Sequence, residues 1–257
     1  VTAKGNTISR TLVIGDILNI NDQGFNAAAS YNVDDGTFNR GTTVAATMFT
    51  TIETINLNAG TAANDINVLD TPDNSRTTIN SQAGNDVIDI TRTGVGSVLL
   101  VNSLAGADTI SIGTPGTGAN SVTIINAGTG NDTLRQLTSG AGSGVALNGQ
   151  DGLDVITIQN AGTTSSTLAT GGNAADTINL WASPAGSFQQ LDGDADNDTF
   201  NLGSPANVLS GILGQVQVNG GANLAAPTTT DSVTAKGNTI SRTLVIGDIL
   251  NINDQGF

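Results

Sequence analysis

Residues Asn80–Ile90 read NSQAGNDVIDI, a polar turn with a glycine that leads into a strand of alternating apolar and polar residues. Related stretches recur: Asn102–Ile112 reads NSLAGADTISI and Asn148–Ile158 reads NGQDGLDVITI. The equivalent apolar residues lie 22, 22, 24, 22, 22 and 22 residues apart, at Ile66, Ile88, Ile110, Leu134, Ile156, Ile178 and Phe200. A short period kept over seven copies is the sequence signature of a solenoid, in which each copy is one coil.

The alternation in each copy places two bulky apolar side chains on one face of a short strand. One coil cannot bury that face alone. Coils stacked about 4.8 Å apart pair each strand with its equivalents above and below, in parallel. The spacing of apolar residues that is typical of helices does not occur in the sequence. The sequence therefore predicts an all-β protein, a parallel β-solenoid (parallel β-helix) with coils of about 22 residues, and right-handed winding is expected of parallel crossovers.

Composition agrees with a thin core that is renewed at each coil. Of the 257 residues, 33 are glycine, 3% are aromatic and 37% are hydrophobic. The net charge of −14 argues against nucleic acid as a partner, and against anionic membranes. The chain has no cysteine, which excludes disulfides and thiolate metal sites. No apolar run approaches the roughly 20 residues of a membrane helix, so no membrane insertion is expected.

An identical segment occurs at both ends of the chain, because Val1–Phe25 is repeated without change at Val233–Phe257. Chance does not produce 25 consecutive identities, so the short period lies inside a longer one of 232 residues. One interpretation is an artefact of how the sequence was assembled. The other is a very long protein of near-identical tandem modules, of which this chain holds one and the start of the next.

The second interpretation gives the domain organisation and the partners. Residues 1–232 form one module and residues 233–257 begin the next. Within the module, irregular coils are expected at 1–50, regular coils at 51–221, and a loop insertion and junction at 222–232. The expected partners are neighbouring identical modules, joined end to end in one chain or by self-assembly.

Two local features refine this organisation. Asp34-Asp35-Gly36 predicts a tight turn between two short strands in the irregular part. Leu224–Thr230 (LAAPTTT) is predicted to be a surface loop, because insertions in solenoids map to loops. Asp231 would then take the position that an aspartate holds in the regular coils, and consecutive modules would share one continuous solenoid.

Stacking the coils in register creates a row of asparagines at the start of each turn. Its members are Asn58, Asn80, Asn102, Asn126 and Asn148. Amide side chains in such a row can bond to one another along the stack and to backbone groups of the turns. We therefore predict a structural ladder and assign it no ligand.

A second row contains one aspartate per coil. Its members are Asp86, Asp108, Asp132, Asp154, Asp176 and Asp198. Carboxylates about 5 Å apart repel by roughly 1 kcal/mol in water, and by more where solvent is partly excluded. Backbone N–H groups of the glycine-containing turn can offset this repulsion, as in an Asx turn. The alternative is Ca²⁺, which takes oxygen ligands from carboxylates and turn carbonyls.

The turn sequences resemble a known calcium-binding repeat. Asn126–Leu134 (NAGTGNDTL) and Ser81–Ile90 (SQAGNDVIDI) look like degenerate half-turns of the RTX repeat G-G-x-G-x-D-x-U-x, where U is a bulky apolar residue. Val218–Asn223 (VNGGAN) and Ile52–Gly60 (IETINLNAG) resemble the large repetitive β-strand-repeat surface proteins of bacteria. The resemblance covers most of residues 51–257 and implies an extracellular, calcium-tolerant role that is structural or adhesive.

The best candidate for a cation site is Asp192–Asp198, which reads DGDADND. Its four carboxylates are Asp192, Asp194, Asp196 and Asp198, and Asp176 lies in the preceding coil. Aspartates that alternate with small residues are typical of calcium loops, although the bidentate glutamate of an EF-hand does not follow here. A bound Ca²⁺ and a solvated acidic turn both stay open, and Asp151 beside Asp154 is a weaker candidate. No other cofactor is expected.

Parallel β-helices also include carbohydrate-active enzymes, whose sites need paired carboxylates in a cleft or a basic group for proton abstraction. The chain has no histidine, and its few Lys and Arg residues fall on no common row. We therefore predict no enzyme. The expected function is that of a structural module in a very long extracellular protein that forms a cell-surface fibre, filament or sheath. The alternative is the inert stalk of a large calcium-dependent adhesin, and a carbohydrate-active β-helix enzyme is a remote one.

Overall fold

A computed structural model of the chain describes residues 15–42, 44–206, 208–222 and 247–252 with their side chains. Of Thr2–Ala3, Asn6–Thr7, Thr228–Ala235 and Asn238–Val245 it describes the backbone strands. Nothing in the described part of the chain is helical, so no helix there is long and apolar enough to cross a membrane.

The described residues form 24 strands. They are β1 (Thr2–Ala3), β2 (Asn6–Thr7), β3 (Ile17–Asn21), β4 (Ser30–Asp34), β5 (Thr37–Arg40), β6 (Thr47–Met48), β7 (Thr54–Asn58), β8 (Asp65–Val68), β9 (Arg76–Asn80), β10 (Val87–Arg92), β11 (Val98–Asn102), β12 (Thr109–Gly116), β13 (Val122–Thr129), β14 (Thr133–Gln136), β15 (Gly144–Asp151), β16 (Val155–Ile158), β17 (Ser166–Asn173), β18 (Thr177–Leu180), β19 (Phe188–Asp194), β20 (Thr199–Leu202), β21 (Gln215–Asn219), β22 (Thr228–Ala235), β23 (Asn238–Val245) and β24 (Ile249–Ile252).

Most of these strands belong to two stacked sheets. Sheet 1 has nine strands in the order β3-β7-β9-β11-β13-β15-β17-β19-β21, and all neighbours are parallel. Sheet 2 has eleven strands in the order β6-β5-β4-β8-β10-β12-β14-β16-β18-β20-β24, parallel from β4 to β24. The chain alternates between the sheets, one strand in each per coil. The prediction of an all-β parallel solenoid with coils of about 22 residues is confirmed.

The inward faces of the two sheets meet in a narrow apolar core. In β10, Ile88 and Ile90 are fully buried whereas the alternate residues face solvent. In β11 of the same coil, Leu99 and Val101 are fully buried. Burying one such side chain contributes about 1.5–3 kcal/mol. This coil thus adds a layer of four aliphatic residues, and the core extends by stacking such layers. In other coils a buried polar residue takes one of the four positions: Thr77, Thr123, Gln136, Thr167 or Gln189.

The first corner of the coil is the turn between its strand in sheet 1 and the following strand in sheet 2. In most coils a glycine two residues before the aspartate of the predicted row shapes this corner. Gly106, Gly130 and Gly152 have φ of 140°, 133° and 144°, a region that favours glycine. A methyl group on Gly130 would lie 1.9 Å from the carbonyl oxygen of Gly106 in the adjacent coil. Glycine therefore lets the corners of adjacent coils stack closely. Ala174 and Asp196 hold the same position in later coils, with φ of 85° and 75°.

The second corner is formed by the Gly-, Ser- and Thr-rich stretches. A serine hydroxyl there donates to the carbonyl oxygen three residues before it, as Ser121 does to Gly118 at 2.7 Å. Six coils share this bond, made by Ser75, Ser97, Ser121, Ser143, Ser165 and Ser187. The N–H of Gly118 also donates to Thr93 Oγ1 in the adjacent coil, at 2.9 Å. These bonds satisfy buried backbone groups where the sheets themselves cannot.

The N-terminal end of sheet 2 is closed by antiparallel strands. β4 and β5 form a hairpin whose turn is Asp35-Gly36, which confirms the predicted tight turn, and β6 pairs with β5. The Tyr31 hydroxyl donates to Asp22 Oδ2 at 2.8 Å and accepts the N–H of Gly60 at 2.9 Å. Arg40 Nη1 donates to the same Asp22 oxygen at 2.5 Å. These bonds fix the β3–β4 connection to the first regular coil.

The C-terminal end differs from the expectation for Asp231. β22 and β23 pair with each other in an antiparallel hairpin, with Asp231 opposite Arg242. The chain rejoins sheet 2 at β24, where the N–H of Asp198 donates to Asp248 Oδ1 at 3.0 Å. Asp248 therefore continues the aspartate row and the prediction for Asp231 is wrong. The reason is that Thr228–Thr230, part of the predicted loop, belong to β22, so the excursion from the solenoid continues into the hairpin. Residues 224–227 of that predicted loop lie outside the described residues.

Candidate functional site

The asparagine row lies at the ends of consecutive strands of sheet 1. The Nδ2 of each asparagine donates to the Oδ1 of the asparagine in the preceding coil, as Asn102 does to Asn80 at 2.8 Å. The linked residues are Asn21, Asn58, Asn80, Asn102, Asn126 and Asn148, with distances of 2.8–2.9 Å. The row changes chemistry where Thr170 and Asp192 occupy the equivalent positions. An amide column of this kind adds one hydrogen bond per coil and fixes the register of sheet 1.

The aspartate row lies at the first corner, directly before each strand of sheet 2. Each coil contributes one residue, or rung, to this row. The backbone N–H of each rung donates to the Oδ1 of the rung in the next coil, as Asp86 does to Asp108 at 2.7 Å. The acceptors are Asp86, Asp108, Asp132, Asp154, Asp176, Asp198 and Asp248. An Asx turn takes its donor from its own turn, whereas here the donor lies in the adjacent coil. The row therefore ties consecutive coils together.

The second carboxylate oxygen of each rung is buried. The six aspartates from Asp86 to Asp198 are each 1% exposed, and their Oδ2 atoms accept no hydrogen bond. Burial of the charged form raises the pKa of Asp86 to about 6 and that of Asp132 and Asp176 to about 7, against the N–H bonds, which lower it. Burial also raises the pKa of Asp108, Asp154 and Asp198. The row can therefore take up protons near neutral pH.

A column of small residues lies beside the Oδ2 atoms. The residue after the ladder asparagine position is Ala59, Ser81, Ser103, Ala127, Gly149, Gly171, Gly193 or Gly220. A methyl group on Gly171 would lie 2.3 Å from Asp176 Oδ2. In the coil of Asp86 the Ser81 hydroxyl donates to the carbonyl oxygen of Ser103 at 3.2 Å and leaves Asp86 Oδ2 without a bond. The column thus leaves room for the carboxyl groups.

The acidic segment Asp192–Asp198 distributes its carboxylates over separate structural positions. Asp198 and Asp176 are consecutive rungs of the aspartate row, with the Asp176 N–H 2.8 Å from Asp198 Oδ1. Asp192 lies in sheet 1 at the asparagine position, and its Oδ2 accepts from Gln190 Nε2 at 2.7 Å. Three of the predicted ligands are therefore engaged in bonds within the solenoid.

The two other aspartates of the segment lie at its surface. Asp194 ends β19 and is exposed, with a φ of 69°. Asp196 Oδ2 accepts the N–H of Ala174 at 3.2 Å, across the first corner. Asp194 and Asp151 line one open groove of about 430 Å³ on the asparagine side. Asp151 Oδ1 accepts from Asn173 Nδ2 there, at 2.5 Å.

Calcium binding stays a prediction. Within the described ranges, no three or more His, Cys, Asp or Glu side chains form a group that could hold a metal ion. The groove that holds Asp151 and Asp194 is the place where two predicted acidic residues of different coils share one surface. Further oxygen ligands there would have to come from amides such as Asn148 or Gln150, which line the same groove.

Two columns of equivalent residues were not predicted, although both leave a regular pattern in the sequence. The serines of the second corner recur at 22- and 24-residue spacing from Ser75 to Ser187. The small residues beside the carboxyl groups directly follow the ladder asparagines. Either column could have been found by aligning all coils position by position and asking which polar or small residues never vary in class.

Comparison with protein-family models, with curated proteins and with solved structures found no match to this chain.

Proposed function

We propose that the chain is a structural module of a very long tandem-repeat protein, and that consecutive modules stack end to end into an extracellular rod. Such a rod would be the unit of a cell-surface fibre, filament or sheath. Its partners are the neighbouring modules, and its chemistry is the hydrogen bonding and apolar packing of the coils. The inert stalk of a calcium-dependent adhesin is the alternative within the same architecture.

The observation that carries the proposal is the contact between the last regular coil and the start of the second module copy. β24, which repeats the sequence of the first module, pairs in parallel with β20 and keeps its register, with Phe200 opposite Leu250. The N–H of Asp198 donates to Asp248 Oδ1, and Asn251 Nδ2 donates to Asn201 Oδ1 at 2.8 Å. This pairing supports a stack that continues from one module into the next.

Open sheet ends support stacking as well. Edge strands expose unpaired backbone groups and are normally blocked or covered. In the described residues β21 has one strand partner, β19, and β24 has one, β20. Leu250 and Ile252 of β24 are 49% and 59% exposed although they face the core side. A further module would pair these edges and cover these side chains.

The extracellular location rests on the acidic, cysteine-free composition together with the resemblance to repetitive bacterial surface proteins. A strongly acidic rod stays soluble in a crowded, salt-containing exterior. We propose no enzymatic activity, since the acidic residues with the most unusual protonation are committed to the backbone bonds of the aspartate row.

The length of tandem chains tests the proposal. Eight coils per module at about 4.8 Å per coil give roughly 40 Å of rod per module. Chains of two, four and eight modules, imaged by negative-stain electron microscopy, are expected to be unbranched rods whose length grows by that increment. Flexible strings of separate beads would contradict it. Small-angle scattering of the same chains gives the cross-section, which stays constant if the modules form one rod.

Fibre and stalk differ in lateral contacts and in location along the cell envelope. Side-by-side bundling of the eight-module rods at increasing concentration favours the fibre, and isolated rods favour the stalk. Immunogold labelling of intact source cells with an antibody against the module checks the extracellular location. Labelling confined to permeabilised cells would contradict it.

A further inference from the structure

One segment of identical sequence occupies two different places in the solenoid. In the first module copy, β3 (Ile17–Asn21) lies in sheet 1 and pairs with β7. In the second copy, β24 (Ile249–Ile252) repeats the sequence of Ile17–Ile20, lies in sheet 2 and pairs with β20. A single strand cannot hold both places, so at each junction the segment lies either in sheet 1 or in sheet 2.

Both places accept the same face of the segment. In sheet 1, Leu18 aligns with Ile55 and Ile20 with Leu57, both inward residues. In sheet 2, Leu250 aligns with Phe200, also inward. The segment's central asparagine bonds to an outward asparagine in either place, at 2.9 Å in sheet 1 and 2.8 Å in sheet 2. The segment is therefore compatible with a place in either sheet.

The number of strands that each module adds to the two sheets decides which place the segment holds at a junction. A continuous solenoid needs the same number of strands per module in both sheets, because each coil contributes one to each. With the segment in sheet 2, the module supplies eight strands to sheet 1, β7 to β21, and eight to sheet 2, β8 to β20 plus β24. With the segment in sheet 1 and β4 in sheet 2, the counts are nine and eight. Only the first arrangement repeats.

An unsatisfied atom marks the same place. Each Oδ1 of the aspartate row accepts the N–H of the preceding rung, and Asn64 holds the first rung. Asn64 is 3% exposed and its Oδ1 is buried without a hydrogen-bond partner. Leaving a buried acceptor unpaired costs about 1–3 kcal/mol. By the rule of the row, its donor at an internal junction is the N–H of the aspartate that holds the place of Asp248, and this is the same module's Asp16 once the segment lies in sheet 2.

β21 matches the edge of β7 in sheet 1. In the stacked rows Val216 and Val218 fall on the inward positions of Ile55 and Leu57, as Leu18 and Ile20 do. Asn219 falls on the asparagine row, where Asn21 now accepts the amide of Asn58. A preceding module can therefore present to β7 the same chemistry that β3 presents.

We propose that β7 is the docking edge for β21 of a preceding module, and that β3 and β4 are a removable cap. At such a junction β8 pairs with the module's own segment Ile17–Ile20, which then holds the sheet 2 place that β24 shows. In the first module of a chain, β3 holds the place of β21 and β4 holds the place of β24. At each internal junction the segment moves to sheet 2, and β4 leaves with β5 and β6 as a lateral excursion. This inference rests on the proposed function, since it takes consecutive modules as one solenoid.

The test uses engineered cysteine pairs in a chain that has none of its own. Register partners on adjacent parallel strands have Cα atoms close to the separation that a disulfide spans. In the 257-residue chain, Asn19→Cys with Asn56→Cys reports the cap and is expected to cross-link. The second chain joins residues 1–232 to residues 1–257. There, Gln217→Cys in the first module with Asn56→Cys in the second reports docking.

At the internal junction the docking pair is expected to give the majority of cross-linked product, and the cap pair placed in the second module a minority. The reverse preference overturns the inference. Rod length is measured on the same two-module chain without cysteines. A straight rod of double length with a cross-linked cap contradicts the inference alone, whereas two jointed bodies contradict the proposed function.

Discussion

The backbone N–H of Asp132 donates to Oδ1 of Asp154, one coil further along, at 2.7 Å, while Oδ2 of Asp154 is buried and accepts no bond. One oxygen thus joins two coils and the other holds a carboxyl group in a place where charge is costly. The same relationship recurs along the row. The row therefore stabilises the stack most when its carboxyl groups are protonated, and this has measurable consequences.

Stability is expected to fall as pH rises from 5 to 8. Burial raises the pKa of Asp132 and Asp176 to about 7 from the ordinary aspartate value of 3.8. The folded state therefore binds protons between these values that the unfolded chain does not, and linkage makes the free energy of unfolding decrease with pH across this window. The contribution is fully present below pH 3.8 and is lost as pH rises through about 7. The urea midpoint, followed by circular dichroism, measures it.

Salt separates this effect from general charge repulsion. The net charge of −14 also disfavours the compact state at higher pH, but screening by 0.5 M NaCl weakens repulsion between exposed groups more than the cost of a buried charge. We expect most of the pH dependence to persist in salt. A midpoint that is higher at pH 8 than at pH 5 would contradict the role of the aspartate row.

Substitutions at Asp132 separate its acceptor role from its charge. Asp132→Asn keeps an Oδ1 for the N–H of Asp108, so it should retain the fold and flatten part of the pH dependence. Asn64, which holds the first rung, shows that the position accepts an amide, with Nδ2 donating to Gly60 O at 2.9 Å. Asp132→Ala leaves the N–H unpaired and should cost about 1–3 kcal/mol.

Urea titrations at pH 5 and pH 8 measure both variants. Asp89→Asn is the matched control, because Asp89 is exposed on the outer face of β10 and should change neither the midpoint nor its pH dependence much. Equal stability of the Asn and Ala variants at both pH values would show that the inter-coil bond contributes nothing.

At the glycine position of the first corner, replacing glycine by alanine is expected to destabilise the protein, and replacing alanine by glycine is expected to stabilise it. Gly152→Ala would place a methyl group 1.6 Å from the carbonyl oxygen of Gly130, at a φ of 144°, and should destabilise the solenoid by about 3 kcal/mol or prevent folding. Ala174→Gly at the equivalent position relieves a non-glycine φ of 85° and should stabilise it by about 1 kcal/mol.

Chemical unfolding of the two variants checks both signs. Gly24→Ala serves as the control, since a methyl group there would meet nothing within 4 Å and should have a small effect. If Ala174→Gly destabilises the protein as glycine usually does within a strand, the corner does not impose the left-handed conformation.

The features that repeat at constant spacing could be predicted from the sequence. The coil length, the strand at Val87–Arg92 and the alignment of Asp86 with Asp108 follow directly from the period, because parallel stacking puts equivalent residues opposite each other. The donor to each carboxylate did not follow. Which N–H faces which oxygen depends on the offset between adjacent corners, and residue type does not encode that offset.

Features that break the period were the least predictable. The sequence placed Asp231 in the aspartate row because the loop at Leu224–Thr230 has an evident composition. The hairpin of β22 and β23 pairs with itself and has no counterpart in the other coils, so periodicity gives no information about where the excursion ends. Asp248 could have been found by matching Asp248-Ile249-Leu250 to Asp198-Thr199-Phe200, since both put an aspartate directly before a strand of sheet 2.

Removal of calcium distinguishes a rod stabilised by its rows of inter-coil hydrogen bonds from a rod stabilised by a bound cation. The carboxylates of Asp192, Asp196 and Asp198 already accept bonds from within the solenoid. We therefore expect the thermal midpoint to change by less than about 2 °C when 5 mM EDTA replaces 5 mM CaCl₂, because the hydrogen bonds need no metal ion. A larger drop that Asp194→Asn with Asp151→Asn abolishes would place a stabilising cation in the groove between them. MgCl₂ at the same concentration controls for screening by a divalent ion, so a rise in midpoint with calcium but not with magnesium would also contradict the expectation.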